Sequence, residues 1–340
     1  MLKINISKVK ALAQFCAMDN REALMIWGQP GGGKSEAIQQ LAVDNNAELV
    51  DIRLSQYDSV DLRGIPVPMD NGLTVWHAPE TLPFIGNAAF ADDRPIILFL
   101  DEINSAAPSV AAVAYQLIND RRVGEHRLKD NVRVIAAGNR ESDRGVTNRM
   151  PTPLANRFTH VEVEVDAETW IDWALDNGIH PLFVAFFKFR PALITTFDPA
   201  SPEKAFATPR TWAKAAKYYT ADVPEEVKQA AIIGAVGNGP GHEFLGFTKI
   251  WQNMPDLDNI IKNPLTAALP DGVSMSYAVA VCLSGKMSLK NAEAVHQYLD
   301  RLSPEYVVCA WTMAVRRDKA LCTTDTFVSQ YAKKYINLYR

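Results

Sequence analysis

The stretch Gly28-Gln29-Pro30-Gly31-Gly32-Gly33-Lys34-Ser35 constrains this chain more than any other. It satisfies the spacing G-x-x-x-x-G-K-S/T, in which a glycine-rich loop turns its backbone N–H groups inward around phosphate oxygens, an approach that a Cβ would obstruct. Lys34 is then the cation that reaches the outer phosphates, and Ser35 offers a hydroxyl to Mg²⁺. The context agrees. Leu24-Met25-Ile26-Trp27 reads as an apolar strand entering the loop, and Glu36 to Val43 reads as a helix leaving it, so phosphate would lie at a helix N-terminus.

A second stretch, Ile96 to Glu102 (IILFLDE), reads as a buried strand that ends in two carboxylates. In open α/β sheets, ligands bind at the carboxyl ends of the strands. Asp101 is placed to join Ser35 around the Mg²⁺ ion, and Glu102 to polarise an attacking water. The strand VRVIAAG ends at Asn139, whose amide can orient water or touch a terminal phosphate.

Around these motifs the pattern predicts an α/β core with five parallel strands and flanking helices. The strands are Ala23–Trp27, Leu49–Arg53, Ile96–Leu100, Val132–Ala137 and Thr159–Val165. The first, third and fourth lack polar alternation, as strands buried on both faces do. Asn71-Gly72, flanked by short apolar runs, predicts a hairpin inserted between the second and third strands. After Asp166 the period becomes helical, with helices expected over Ala167–Asn177, Pro181–Phe189, Pro209–Thr220 and Pro224–Val236. The expected organisation is an α/β nucleotide-binding domain over residues 1–166, a helical lid over 167–260 and a helical C-terminal region over 261–340.

Composition narrows the partners. The net charge is −4 across 340 residues, so no global basic field draws the protein to nucleic acid or an anionic membrane, and any such contact must be local. The four cysteines are scattered and lack zinc-binding spacing, which fits reduced thiols in a cytoplasmic protein. The N-terminus reads as amphipathic with interspersed lysines, and neither a signal peptide nor a membrane-spanning run is expected.

The ordered series GQPGGGKS, DLRGIP, FLDEIN, AAGN, PLANRF and TPR resembles AAA+ ATPases, and among them the MoxR-like family. The resemblance covers about residues 20 to 215. It implies an AAA+ P-loop core with a helical lid, in which ATP and Mg²⁺ are held by Gly28 to Ser35, Glu36 and Asp101. It implies that Asn139 is the first sensor and that Arg157 is the arginine finger reaching a neighbour's γ-phosphate, with Arg149 as the alternative finger. Arg210 in TPRTW matches the second sensor.

The resemblance further implies a homo-oligomeric, hexameric ring that hydrolyses ATP to remodel a protein as a chaperone does, alongside a partner carrying a von Willebrand factor A domain. The hairpin at Asn71-Gly72 and a second at Arg121 to Leu128 fall where related rings approach a central pore. Trp76, His77, Arg122 and His126 are therefore candidates for substrate contact. The competing reading is a nucleic-acid motor or restriction-type NTPase, which the acidic balance and the lack of a Lys/Arg stripe with interleaved aromatics disfavour.

Overall fold

The computed structural model describes residues 1–143 and 150–335. The chain divides into two compact units. The first comprises Met1–Val165, Phe197–Pro202 and Thr208–Arg210; the second comprises Asp166–Thr196, Glu203–Ala207 and Thr211–Arg340.

The first unit is built on β1 (Lys3–Asn5), α1 (Ile6–Ala13), β2 (Leu24–Trp27), α2 (Lys34–Asp44), β3 (Glu48–Arg53), α3 (Ser59–Arg63), β4 (Ile65–Pro68), β5 (Thr74–His77), β6 (Ile96–Asp101), α4 (Pro108–Asp120), β7 (Arg122–Val123), β8 (His126–Arg127), β9 (Val132–Gly138), α5 (Thr152–Ala155) and β10 (Thr159–Glu164). Its main sheet has six strands in the order β1-β10-β2-β9-β6-β3, with every neighbouring pair parallel.

The expected count of five strands is therefore corrected to six. The extra strand, β1, pairs Lys3–Asn5 with Glu162–Glu164. Three residues are too few to show a period of two, and they run directly into α1, whose N-terminus Asn5 caps by accepting from the Lys8 N–H at 3.0 Å.

Consecutive residues of the central strands serve opposite faces, as the pleat requires. Met25, Leu98, Leu100, Val134 and Ala136 join one core with Val110, Ala114 and Leu117 of α4. Leu24, Ile26, Ile97, Phe99, Ile135 and Ala137 join the other with Val9 and Ala13 of α1 and with Ile38 and Leu41 of α2. Burial on both faces explains why these strands read as unbroken apolar runs. Each fully buried aliphatic side chain contributes about 1.5–3 kcal/mol, enough for the sheet to hold its polar carboxyl edge in place.

Two antiparallel hairpins project from this unit. In β4–β5, Asn71 Oδ1 accepts from the Leu73 N–H at 3.0 Å and Gly72 takes a φ of 79°, the turn chemistry expected of Asn-Gly. A Cβ on Gly64 would run into the His77 carbonyl at the base of this hairpin. The smaller hairpin is β7–β8.

In the second unit, residues 166–335 contain no strand among those described. Its α-helices, among the described residues, are α6 (Ala167–Asp176), α7 (Pro181–Phe189), α8 (Pro209–Tyr219, from Thr211 onward), α9 (Glu225–Val236), α10 (Asn238–Gln252), α11 (Leu257–Lys262), α12 (Gly272–Lys286), α13 (Ala292–Leu299), α14 (Pro304–Arg317) and the short α15 (Lys333–Tyr335). Asp166 caps α6 by accepting from the Thr169 N–H at 2.8 Å, while prolines open α7 and α14. An aromatic cluster fixes their packing. Phe183 stacks on Phe244 at 4.5 Å and Trp212 meets Phe187 edge-on at 5.1 Å. The buried Trp212 and Trp311 indoles donate to Leu193 O at 2.8 Å and to His296 Nδ1 at 3.1 Å, so neither N–H is left unpaired.

Candidate functional site

β2 delivers the chain to the carboxyl edge of the sheet, where Gly28 to Gly33 turn it into α2. Gly31 and Gly33 adopt φ values of 72° and 90°, the left-handed region that glycine enters without penalty. Gly33 is the N-cap residue of α2, and a Cβ on Gly31 would lie 2.7 Å from Thr208 Oγ1. The first amides of α2 have no partner within the helix and face the loop, which makes this turn an anion cradle.

Lys34 is 8% exposed. Its ammonium donates to Gly28 O at 2.7 Å, Gln29 O at 3.0 Å and Asn139 Oδ1 at 3.4 Å. Burial lowers its pKa to about 8, against the opposing pull of Asp101 and Asp143; Arg210 and Arg140 push it the same way as burial. One side chain thus ties the start of the loop to the residue that follows β9.

Ser35 Oγ donates to Asp101 Oδ2 at 2.9 Å, while Asp101 Oδ1 accepts from the Glu102 N–H at 2.9 Å. A hydroxyl and a carboxylate meeting this closely are the oxygen donors that Mg²⁺ takes when nucleotide and water complete its shell. Among the described residues there is no group of three or more His, Cys, Asp and Glu side chains that could hold a metal ion without such help.

Glu102 follows β6 in the left-handed region, with a φ of 56°. For a non-glycine residue this conformation costs about 1–2 kcal/mol. Its carboxylate accepts from the Ser55 hydroxyl at the end of β3. Two residues on, Asn104 is 4% exposed and its amide pairs with the backbone of Asn139, donating to Asn139 O at 2.7 Å and accepting from Asn139 N–H at 3.2 Å. Neither Ser55 nor Asn104 was singled out from sequence, although Asn104 lies in the FLDEIN stretch that was.

Beside Asn139, the Arg140 guanidinium pairs with the buried Asp143 at 2.9 Å and with Glu162 at 3.4 Å, and Lys3 approaches the same Glu162 oxygen at 3.5 Å. Trp27 Nε1 donates to His160 Nδ1 at 2.9 Å, which leaves His160 Nε2 to donate to Ala155 O at 2.7 Å and fixes the neutral tautomer. A cleft of about 900 Å³ beside Lys3, Trp27, Arg140, His160 and Glu162 is lined by none of the residues Gly28 to Ser35.

The structure thus brings together Gly28 to Ser35, Asp101, Glu102 and Asn139. Arg210 joins them through its backbone, whose N–H donates to Gly31 O at 3.3 Å, and its side chain is exposed. Glu36 points outward from the first turn of α2, exposed and without a side-chain partner among the described residues.

Arg157 is not brought to this site. It is exposed, unpaired among the described residues, and two residues ahead of Thr159, which lies level with Leu24. Trp27 is level with Glu162, so at about 3.3 Å per residue Thr159, which Arg157 precedes by two residues, lies about 10 Å below the carboxyl edge. Arg149 lies outside the described residues. Trp76, His77 and Arg122 are exposed on the hairpins, with Arg63 over the Trp76 ring at 5.5 Å. His126 is instead half-buried against Phe84 at 5.6 Å.

Residues 23–158 match the model of the AAA domain (dynein-related subfamily). Midasin of Giardia intestinalis is 30% identical over 169 residues, which cover 47% of this chain and 3% of Midasin, so the match spans a small part of that relative's length. A putative ATPase from Cytophaga hutchinsonii is similar in structure, with 13% identity, coverage of 90% of this chain and 79% of that one, and a TM-score of 0.37. The RuvB Holliday junction branch migration motor of Thermotoga maritima aligns with 14% identity, coverage of 87% and 86%, and a TM-score of 0.41. The sheet, its phosphate loop and the matched segment together give the first unit the P-loop AAA+ fold.

Proposed function

We propose that this protein is a Mg²⁺-dependent ATPase of MoxR type, which works as a homo-oligomeric, hexameric ring to remodel a protein substrate. In this reading residues 167–260 act as the lid and 261–340 as the region that meets a partner, with a von Willebrand factor A domain as the expected partner class. The observation that carries the reading is the convergence of Lys34, Ser35, Asp101, Glu102 and Asn139 on one edge of the sheet, joined by the contacts Ser35–Asp101 and Lys34–Asn139.

The inward N–H groups of the loop and the Lys34 ammonium hold the β- and γ-phosphates. Ser35 and Asp101 hold the Mg²⁺ ion, which when bound neutralises charge on the phosphate oxygens. Glu102 accepts the proton of the attacking water, and Ser55 fixes its carboxylate. Asn139 orients the water or the γ-phosphate, and Arg210 approaches the loop from the start of α8. Arg157, distant from its own loop and unpaired among the described residues, supplies its guanidinium to the site of a neighbouring subunit, where it stabilises the charge that spreads over the transferred phosphoryl oxygens.

Glu102→Gln tests this. The variant is expected to bind ATP with near-normal affinity while phosphate release falls by about 10²-fold or more. An unaltered hydrolysis rate would remove Glu102 from its role and with it the proposed chemistry.

A further inference from the structure

We infer that Asn104 is a positioning residue for this reaction, one that sets the Asn139 amide in register with Lys34 and ties it to the turn carrying Glu102. The inference rests on the ATPase reading above. It comes from a contact to the Asn139 backbone, separate from the Lys34 contact to its side chain.

The Asn104 side chain spends both its functional groups on one residue. Its Nδ2 donates to Asn139 O at 2.7 Å, and its Oδ1 accepts from Asn139 N–H at 3.2 Å. A primary amide supplies a donor and an acceptor side by side; a carboxylate of the same shape supplies acceptors only and would face the Asn139 carbonyl with like charge. Because Asn104 is 4% exposed, water does not replace either bond cheaply. The clamped residue is the one whose side-chain oxygen meets Lys34 Nζ at 3.4 Å.

The fit leaves no slack. A Cβ on Gly138 would stand 2.6 Å from Asn104 Oδ1 and 2.9 Å from Met25 Cε, so the residue before Asn139 is a glycine where the clamp passes. Gly138 does not have a positive φ, so its identity answers to this approach and not to backbone conformation. Asn104 also lies in the short turn Ile103–Ser105 that Glu102 opens in its left-handed conformation. A displacement of that turn moves the group that activates water and the group that reads the phosphate together.

The test uses Asn104→Asp, which keeps the shape and loses the donor, and Gly138→Ala, which displaces the Asn104 amide without altering it. Each is measured alone and combined with Asn139→Ala, in the full chain, well below its melting temperature. Asn104→Asp and Gly138→Ala are each expected to lower kcat by about tenfold or more, with KM held within about threefold.

The same variants are expected to lose most of the preference for a non-hydrolysable ATP analogue over ADP. Adding Asn139→Ala should cost less than the same change costs in the wild type, because both changes act on the Asn139 amide. Normal turnover and normal preference in both variants, or losses that multiply in the double variants, would overturn the inference. If the wild type itself hydrolyses nothing, the ATPase reading falls while the triphosphate preference still decides Asn104. Hydrogen exchange gives a readout that needs no variant: the Asn139 N–H is expected to be protected, and exchange as fast as that of open loops would contradict the clamp.

Discussion

Replacing Lys34 by methionine should make the nucleotide-free protein more stable. The Lys34 ammonium is buried, and its pKa falls from 10.5 to about 8 because burial disfavours the charge. A fall of that size corresponds to about 3 kcal/mol spent on holding the proton at neutral pH. Methionine has similar length and no charge to desolvate. The change leaves the Gly28 carbonyl without the Lys34 donor, at about 1–2 kcal/mol, while Gln29 O keeps the Gly32 N–H at 3.4 Å. The net gain is about 1–2 kcal/mol, or a rise in Tm of about 2–8 °C for a unit of this size.

The pH dependence follows from the direction of the change. The folded pKa lies below the unfolded one, so between about pH 8 and pH 10.5 the unfolded chain binds a proton that the folded chain does not. Stability of the wild type therefore rises with pH across that window, and the advantage of Lys34→Met shrinks. Thermal melts of both proteins without nucleotide, at about pH 7 and about pH 9.5, test this. A variant less stable than wild type at the lower pH, or a gap that does not narrow at the higher one, would refute the reasoning. Adding ATP should reverse the order, since only the wild type gains stability from tight binding.

Gly31→Ala would force a residue with a Cβ to a φ of 72° and set that Cβ 2.7 Å from Thr208 Oγ1. ATP affinity by calorimetry should fall about tenfold or more, and an unchanged Kd would remove the close approach from the account. Arg157→Ala should bind ATP and turn it over poorly, and mixing it with Lys34→Ala subunits should restore part of the activity, because each subunit supplies what the other lacks. The absence of any rescue would count against a finger acting across an interface.

What could be read from sequence was local. The phosphate loop is eight consecutive residues whose spacing is its own signature, and β6 runs straight into Asp101. The Asn71-Gly72 hairpin was legible for the same reason, since turn chemistry is carried by adjacent residues. The contacts that organise the site were not. Ser55 reaches Glu102 across 47 residues and Asn104 reaches Asn139 across 35, and only the pairing of β3, β6 and β9 brings them together.

β1 was hidden because its three residues fade into the helix they cap. Arg210 illustrates a different limit. Its place at a helix start was visible in TPRTW, yet it groups with the phosphate-loop unit while its helix from Thr211 onward belongs to the other. No property of a helix start encodes which body it joins.

The most direct test of the central claim is specific ATPase activity across a protein concentration series, with mass measured in parallel by light scattering and with DNA present or absent. Because Arg157 precedes β10 at the end of the sheet away from the phosphate loop, the account predicts that activity per subunit rises as subunits assemble and is indifferent to DNA. Full activity in a monomer, or turnover that depends on DNA, would contradict it.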